Sequence, residues 1–202
     1  MKHSLTARQR VCAEIAVLYT LQRRRGAARR LARLKRQFPQ ARFFQEIFFH
    51  LSLVLGFPAM LDGLETISGL FPRGATSAPK RKHRGKGREI FQAVYGRQST
   101  RVLRKIRALH EDAHAMILRD VYGRIFSRPG LTLAEREVLN IVVLAIQGFD
   151  AQLYSHVRGA MRAGLDEHAL RELRRVVRRM SNRSLPLLSH TIRFVVSHMK
   201  KS

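Results

Sequence analysis

The sequence contains little cysteine and no long hydrophobic run. Its 202 residues include a single cysteine, Cys12, which excludes an intrachain disulfide and a Cys-x-x-C motif. The most apolar stretch, LSLVLGFPAML at residues 51–61, is too short to span a bilayer and is interrupted by Gly-Phe-Pro. The first residues lead into an amphipathic segment rather than a secretory signal. We therefore expect a soluble, cytoplasmic protein without a membrane partner.

Acidic residues are also scarce. Asp and Glu number 14 against 39 Lys and Arg, which gives a formal net charge of +25. A field of this size attracts polyanions without selecting among them, and it is equally compatible with a solvated basic surface. The arginines are dense at residues 23–36 and 174–179, but no aromatic residues are interleaved with them to stack on bases. We therefore expect nucleic-acid binding to be non-specific and easily reversed by salt.

The patterns that are present are helical. Thr6 is followed three residues later by Gln9, and Thr132 by Glu135; both pairs have the spacing of a capping box at a helix start. Apolar residues then recur at helical spacing after each threonine, and no alternating strand pattern of useful length occurs. The sequence predicts an all-α fold.

Other residues mark the starts and ends of the remaining predicted helices. Gly148 is a suitable helix stop, and Asp150 and Asp166 are candidate N-caps. In the first part of the chain we expect a short basic helix over 27–37 and an apolar helix over 41–55, with a break at Gly-Phe-Pro.

The two halves of the chain resemble each other. A shift of 126 positions places LTARQR (residues 5–10) on LTLAER (131–136) and Glu46 on Glu172. A match of this length indicates two copies of a helical unit rather than an array of short repeats. The stretch between them has Pro, Gly, Ser and basic residues without apolar periodicity, as flexible linkers do. The predicted organisation is a first, partial unit at 1–71, a basic linker at 72–87, and a second unit with its amino-terminal helices at 88–202.

Three segments carry a family resemblance. Residues 128–173 (RPGLTLAEREVLN onward), residues 88–132 with their YG and RPGL marks, and residues 46–65 with a GFPA turn resemble the carboxymuconolactone decarboxylase family. This family belongs to the superfamily that also holds the alkylhydroperoxidase D-like proteins. The resemblance implies an alkylhydroperoxidase D-like helical bundle with two tandem related units. It also implies a homo-oligomer, a trimer or hexamer, in which the aromatic-rich helix over residues 43–55 is partly buried.

The thiol peroxidases of this superfamily use Glu, Cys, Cys and His, with eleven, two and three residues between them. At the matching places this sequence has Glu137, Phe149, Gln152 and His156. The outer two residues are kept and both thiols are lost, so the redox cysteine pair is missing. In the first copy the same places hold Val11, Arg23, Gly26 and Arg30, which leaves no acid–base pair there.

The decarboxylase-like members lack the thiols and have an ELxxH pattern, for which this chain has QLYSH at 152–156. The resemblance implies that His156 and Glu137 are catalytic and that His156 supplies the proton that replaces carbon dioxide. Substrate contacts are expected from Gln152 and Tyr154, and carboxylate binding from arginines: Arg136, Arg158 and Arg162. No cofactor is expected, and the histidine spacings do not indicate a metal site.

Other interpretations of these residues remain open. His156 is also consistent with a hydrogen-bonded structural histidine, and Glu137, in the first turn of a helix, offsets the helix dipole. The function suggested is acid–base chemistry on a small carboxylated or lactone substrate. The alternative is a non-catalytic oligomeric scaffold, or a basic protein that binds polyanions such as nucleic acid.

The loss of both thiols generates the first prediction. Because disulfide cycling needs an attacking and a resolving thiol, the protein should show no thiol-dependent peroxide turnover. Peroxide consumption with a dithiol reductant measures this. Turnover above the buffer rate that persists in Cys12→Ser would contradict the assignment of Phe149 and Gln152 to the thiol places.

Overall fold

The computed structural model describes residues 4–71 and 86–199, and in these ranges the chain is helical with no strand. The all-α prediction is therefore confirmed. Most of the predicted linker, 72–87, lies outside the described residues. The helices are α1 (Ala7–Thr20), α2 (Arg24–Gln37), α3 (Ala41–Leu70), α4 (Gly87–Tyr95), α5 (Ser99–Leu109), α6 (Glu111–Met116), α7 (Leu133–Gln147), α8 (Asp150–Arg162), α9 (Glu167–Ser181) and α10 (Pro186–Met199).

The chain divides into two compact units. One comprises residues 4–71 together with 130–199, and the other comprises residues 86–129. The units predicted from the sequence, 1–71 and 88–202, were delimited by the similarity of their sequences. The two compact units are delimited by which residues pack together, so their boundaries differ. The candidate site lies entirely in the first unit.

In the first unit, α1 and α7 pack along each other at the centre. α1 also packs on α9, while α7 packs on α3 and α8. Side chains such as Ile15, Phe44 and Leu139 are completely buried, and burial of each stabilises the fold by roughly 1.5–3 kcal/mol. Leu170, Leu173, Val176 and Val177 of α9 are also buried.

The amino-terminal ends of α1 and α7 are closed in the same way. Both predicted capping boxes are present, on Thr6 and on Thr132. The Nε of Arg8 in α1 donates to Glu135 Oε1 in α7 at 2.6 Å. This hydrogen bond to Glu135 raises the pKa of Arg8 above its usual value. The capping residue of one central helix therefore also anchors the other.

The helix α3 is sharply bent at Gly56, which has φ +80°. In a straight helix residues 48 and 63 would lie about 22 Å apart, yet the ring of Phe48 lies directly against Gly63. Pro58 falls in the first turn of the second arm, where its missing N–H is not needed. The break predicted at Gly-Phe-Pro is thus present.

By length and composition alone, α3 qualifies as a candidate membrane span. Its bend divides it into arms of about 15 and 14 residues, and a straight span needs about 20. Phe44, Phe48 and Leu51 of the first arm are fully buried in the protein core.

Two predicted helix starts need correction. The basic helix begins at Arg24 rather than Ala27, because nothing in the sequence marks its N-cap and the chain resumes a helical course directly after the turn at residue 22. Phe149, not Asp150, is the N-cap of α8, and Asp150 lies in the first turn, where its charge still favours the helix dipole. Gly148 and Asp166 act as predicted.

The unit formed by residues 86–129 has its own small aromatic core. The ring of Phe91 in α4 lies 4.9 Å from that of Tyr122, which lies 4.5 Å from that of Phe126. Tyr122 and Phe126 belong to a π-helical segment, Ile117–Phe126, that continues α6. This cluster accounts for the burial of all three rings.

The aromatic richness of α3 has two parts. Phe43, Phe44 and Phe48 are buried within the chain itself, so they are not available to an oligomer interface. Phe57 is 71% exposed and Leu61 61% exposed. That a homo-oligomer buries part of residues 43–55 stays a prediction, since Phe49, Leu53 and Leu55 in that range are only half-buried.

The contact between Phe48 and Gly63 generates a stability prediction. A Cβ on residue 63 would approach the Phe48 ring to 2.1 Å, so Gly63→Ala should lower the free energy of unfolding by about 1–3 kcal/mol through overpacking. The matched control is Gly69→Ala, where an added Cβ meets nothing within 4 Å. It should cause no loss, because Ala is the better helix former by roughly 0.8–1.0 kcal/mol. Urea denaturation measures both; equal midpoints would contradict the close packing of the two arms.

Candidate active site

Glu137 and His156 meet between α7 and α8. The Oε2 of Glu137 lies 2.7 Å from the Nδ1 of His156. The Glu137 side chain is completely buried and that of His156 is 14% exposed. The two side chains are thus in direct contact. A buried carboxylate holds an imidazole whose other edge is nearer the surface.

Three further buried residues extend this contact into the core. The Asn140 amide nitrogen lies 3.2 Å from His156 Nδ1, and Asn140 Oδ1 lies 3.0 Å from His50 Nε2. His50 Nδ1 in turn lies 3.3 Å from Nη1 of Arg136. All three side chains are at most 2% exposed. A continuous polar chain therefore runs from Arg136 to Glu137.

The tautomer of the His50 ring is fixed by its neighbours. Burial, and then the nearby Arg136 guanidinium, hold the pKa of His50 well below its usual value, so His50 is neutral near pH 7. Arg136 can only donate, so His50 Nδ1 accepts and its Nε2–H donates to Asn140 Oδ1. The NH2 group of the Asn140 side chain consequently faces His156.

His156 Nδ1 lies between two partners. With its proton on Nδ1, the ring donates to Glu137 Oε2; with that proton on the carboxyl group, Nδ1 accepts from the Asn140 amide. Both proton positions have a hydrogen-bond partner. Among the described residues, 4–71 and 86–199, none forms a hydrogen bond with His156 Nε2, so this nitrogen can meet a substrate.

Glu137 has a second oxygen that is not satisfied. Its Oε1 is buried and has no hydrogen-bond partner within the described ranges. Leaving such an acceptor unpaired costs about 1–3 kcal/mol or more for a charged group.

The other predicted residues separate into two groups. Gln152 is exposed one turn before His156 on α8 and shares its face. Arg136 is 1% exposed and supports His50 from within the core. Tyr154 and Arg158 contact each other, with Arg158 Nη1 3.3 Å from the Tyr154 hydroxyl, and Tyr154 packs near Phe194 of α10.

Tyr154 and Arg158 therefore form a separate cluster. Each is two residues from His156, and such positions point about 200° apart around a helix. Desolvation, and then the charge of Arg158, lower the pKa of Arg162, which places that third arginine beside the same cluster. The structure brings His156 and Glu137 into contact and places Gln152 on the same face of α8 as His156, whereas Tyr154, Arg158 and Arg162 lie apart from them.

Phe149 and Gln152, at the places that the resemblance assigns to thiols, carry no sulfur, and the thiol of Cys12 is in an unreactive environment. Phe149 is 52% exposed and Gln152 carries an amide. Cys12 is fully buried, and desolvation raises its pKa well above the usual value, which disfavours the nucleophilic thiolate. Within residues 4–71 and 86–199, no group of three or more His, Cys, Asp or Glu side chains is arranged to hold a metal ion.

His50 and Asn140 were missed by sequence analysis. His50 lies in a run of apolar residues of α3, and Asn140 lies in the middle of the apolar helix α7. A polar residue inside an apolar helix is itself a signal, since buried polar groups need partners. Pairing the two, however, required the packing of α3 on α7, which no spacing in the sequence gives.

The segment that carries Glu137 and His156 is similar in sequence to known proteins. Residues 113–182, which include Glu137, Gln152 and His156, match the carboxymuconolactone decarboxylase family. A 4-carboxymuconolactone decarboxylase from Acinetobacter baylyi is 31% identical over 88 residues, which are 43% of this chain. The aligned part covers 66% of the length of that relative. Together these similarities relate this part of the chain to the carboxymuconolactone decarboxylase family.

The low pKa of His50 generates a pH prediction. Below about pH 6.5, the usual histidine value, the unfolded chain binds a proton that native His50 does not. The free energy of unfolding should therefore fall with decreasing pH, by up to about 1.4 kcal/mol per pH unit from this group. His50→Gln should remove that part of the slope between pH 7 and 5, as measured by urea denaturation at each pH.

The matched control is His190→Gln, because His190 is exposed and should leave the slope unchanged. Equal slopes in wild type and His50→Gln would show that His50 is protonated in the native state.

Proposed function

We propose that this protein is an acid–base decarboxylase that acts on a small carboxylated lactone, with His156 and Glu137 as its catalytic pair. The observation that carries this proposal is the 2.7 Å contact between the fully buried Glu137 and the partly exposed His156. A buried ion pair is weak support for stability, because desolvation offsets the attraction. A catalytic role explains the buried position of the Glu137 carboxylate better than a stabilising role does.

In the proposed reaction the bond between the substrate carboxylate and its carbon breaks, and carbon dioxide leaves. The electron pair is held as the enolate of the lactone system. Protonated His156 donates from Nε2 to the carbon, and solvent then returns the proton to the ring. Glu137 keeps the other proton on Nδ1, so the ring holds one orientation as the imidazolium before transfer and as the neutral Nδ1–H tautomer after it.

The substrate class follows from two supports. The relative from Acinetobacter baylyi is named for 4-carboxymuconolactone, and the surface of the first unit is rich in cations that attract carboxylates. Gln152, on the same face of α8 as His156, can hydrogen-bond the lactone but cannot take a proton. We assign to it a positioning role.

We further propose that the chain contains two copies of one helical unit. The helices α1, α2 and α3 begin at Ala7, Arg24 and Ala41, and α7, α8 and α9 begin 126 residues later in each case. Gly56 and Asn182, also 126 apart, both have positive φ. Reciprocal packing of α1 on α9 and of α7 on α3 supports this proposal, since two related units that pack about a twofold axis exchange equivalent contacts.

On this proposal, both copies contribute residues to the site. Glu137, Asn140 and His156 belong to the second copy, and His50 belongs to the first. At the places of Asn140 and His156, the first copy has Glu14 and Arg30, which form an ion pair of 2.6 Å. We infer one working site per chain, without a thiol cycle.

The proposal is tested by decarboxylation of 4-carboxymuconolactone, followed by loss of the substrate or release of carbon dioxide. His156→Gln should lower kcat by about 100-fold or more, the usual effect of removing a general acid. Glu137→Gln should also lower kcat, and Gln152→Ala should act mainly on KM. His190→Gln is the matched histidine control and should keep wild-type rates.

Two results would contradict the proposal. One is turnover in His156→Gln equal to that of wild type. The other is absence of turnover with 4-carboxymuconolactone and related lactones by a folded wild-type protein, which favours the non-catalytic scaffold.

A further inference from the structure

A second concave site lies away from His156, where the end of α9 meets the start of α1. Its volume is about 830 Å³, and its lining includes five arginines and one carboxylate: Arg10, Arg175, Arg178, Arg179, Arg183 and Glu172. Asn182 and Ser184 add polar groups at the same edge. The site is therefore strongly cationic.

The single carboxylate of this site is already engaged. Arg10 forms an ion pair with Glu172 Oε1, and the backbone N–H of Leu5 donates to Glu172 Oε2 at 2.8 Å. Within the part of the chain that the structure describes, no ion pair involves the other four guanidinium groups. Four uncompensated positive charges thus share one cavity.

The fold does not require arginine at these places. Like charges one helical turn apart, such as Arg175 and Arg179, destabilise a helix by roughly 0.2–0.5 kcal/mol. The residues 126 positions earlier on the bent helix α3 are Phe49, Ser52, Leu53 and Phe57.

The helix dipole explains only part of the cluster. Arg178 and Arg179 lie in the last turn of α9, where a cation is favourable. Arg175 lies before that turn and Arg183 beyond the helix, so a different cause is needed for the convergence of all four.

We propose that this cavity binds a small, multiply charged anion that carries phosphate groups. Guanidinium groups bind phosphate oxygens through paired, charge-assisted hydrogen bonds, and several of them can hold adjacent phosphates at once. The volume of about 830 Å³ lies within the roughly 300–1,000 Å³ of small-molecule sites, and the site is open, with Arg175, Arg178, Arg179 and Arg183 exposed to solvent. The site shares no lining residue with the Glu137–His156 pair, so it is independent of the proposed decarboxylase activity.

The test is isothermal titration calorimetry of the full chain with inorganic tripolyphosphate at fixed ionic strength. Wild type should bind one equivalent. Arg175→Gln/Arg179→Gln should bind about tenfold or more weakly, because each lost charge-assisted hydrogen bond alone accounts for about that factor. The matched control is Arg33→Gln/Arg36→Gln, which removes the same charge from exposed positions of α2 and should retain wild-type affinity. Circular dichroism checks that each variant is folded.

Equal weakening in the two double variants would overturn the proposal, since it would mean that tripolyphosphate responds only to net charge. A second arm uses a single-stranded oligonucleotide. If the oligonucleotide binds through Arg175 and Arg179 and tripolyphosphate does not displace it, the small-anion site is also overturned. Displacement of the oligonucleotide by one equivalent of tripolyphosphate supports it.

Discussion

The buried chain of polar groups from Arg136 to Glu137 constrains the unit in which it lies. Each link spans 2.7 to 3.3 Å, and each group would carry a desolvation cost if its partner moved away. The links join α3, α7 and α8, so the packing of three helices must satisfy one set of hydrogen bonds. The apolar core drives these helices together, and the polar chain selects among the ways in which they can pack.

This constraint explains the unequal halves of the chain. On the proposed duplication, one half keeps a histidine that can exchange protons with a ligand, and the other has an arginine at the same place, paired with Glu14. Arginine does not give up its proton in proteins, so the Glu14–Arg30 pair can only be structural. One half therefore holds the proposed catalytic pair, and the other supplies His50 and packing support.

Much of the helical framework was predictable from the sequence. The two capping boxes, the Gly148 stop and the break at Gly56 follow from local rules that need only neighbouring residues. The start of α2 was missed because Arg23 has no side-chain cap. The depth of the bend in α3 was also missed, since it depends on Phe48 packing against Gly63 across the two arms.

The candidate site was predictable only in part. The family resemblance pointed to Glu137 and His156, whose contact needs α7 and α8 alone. The roles of His50 and Asn140 depend on a contact between residues 90 positions apart, which local pattern cannot reveal. The expected grouping of Tyr154 and Arg158 with His156 ignored the angular separation of positions two apart on a helix.

The central claim is that Glu137 holds the proton of neutral His156 on Nδ1 and leaves Nε2 for the substrate. Nitrogen-15 NMR of the histidine rings, in wild type and in Glu137→Gln, measures this tautomer directly. We expect the proton of neutral His156 to lie on Nδ1 in wild type and to shift toward Nε2 when the carboxylate is removed. A proton on Nε2 in both proteins would contradict it.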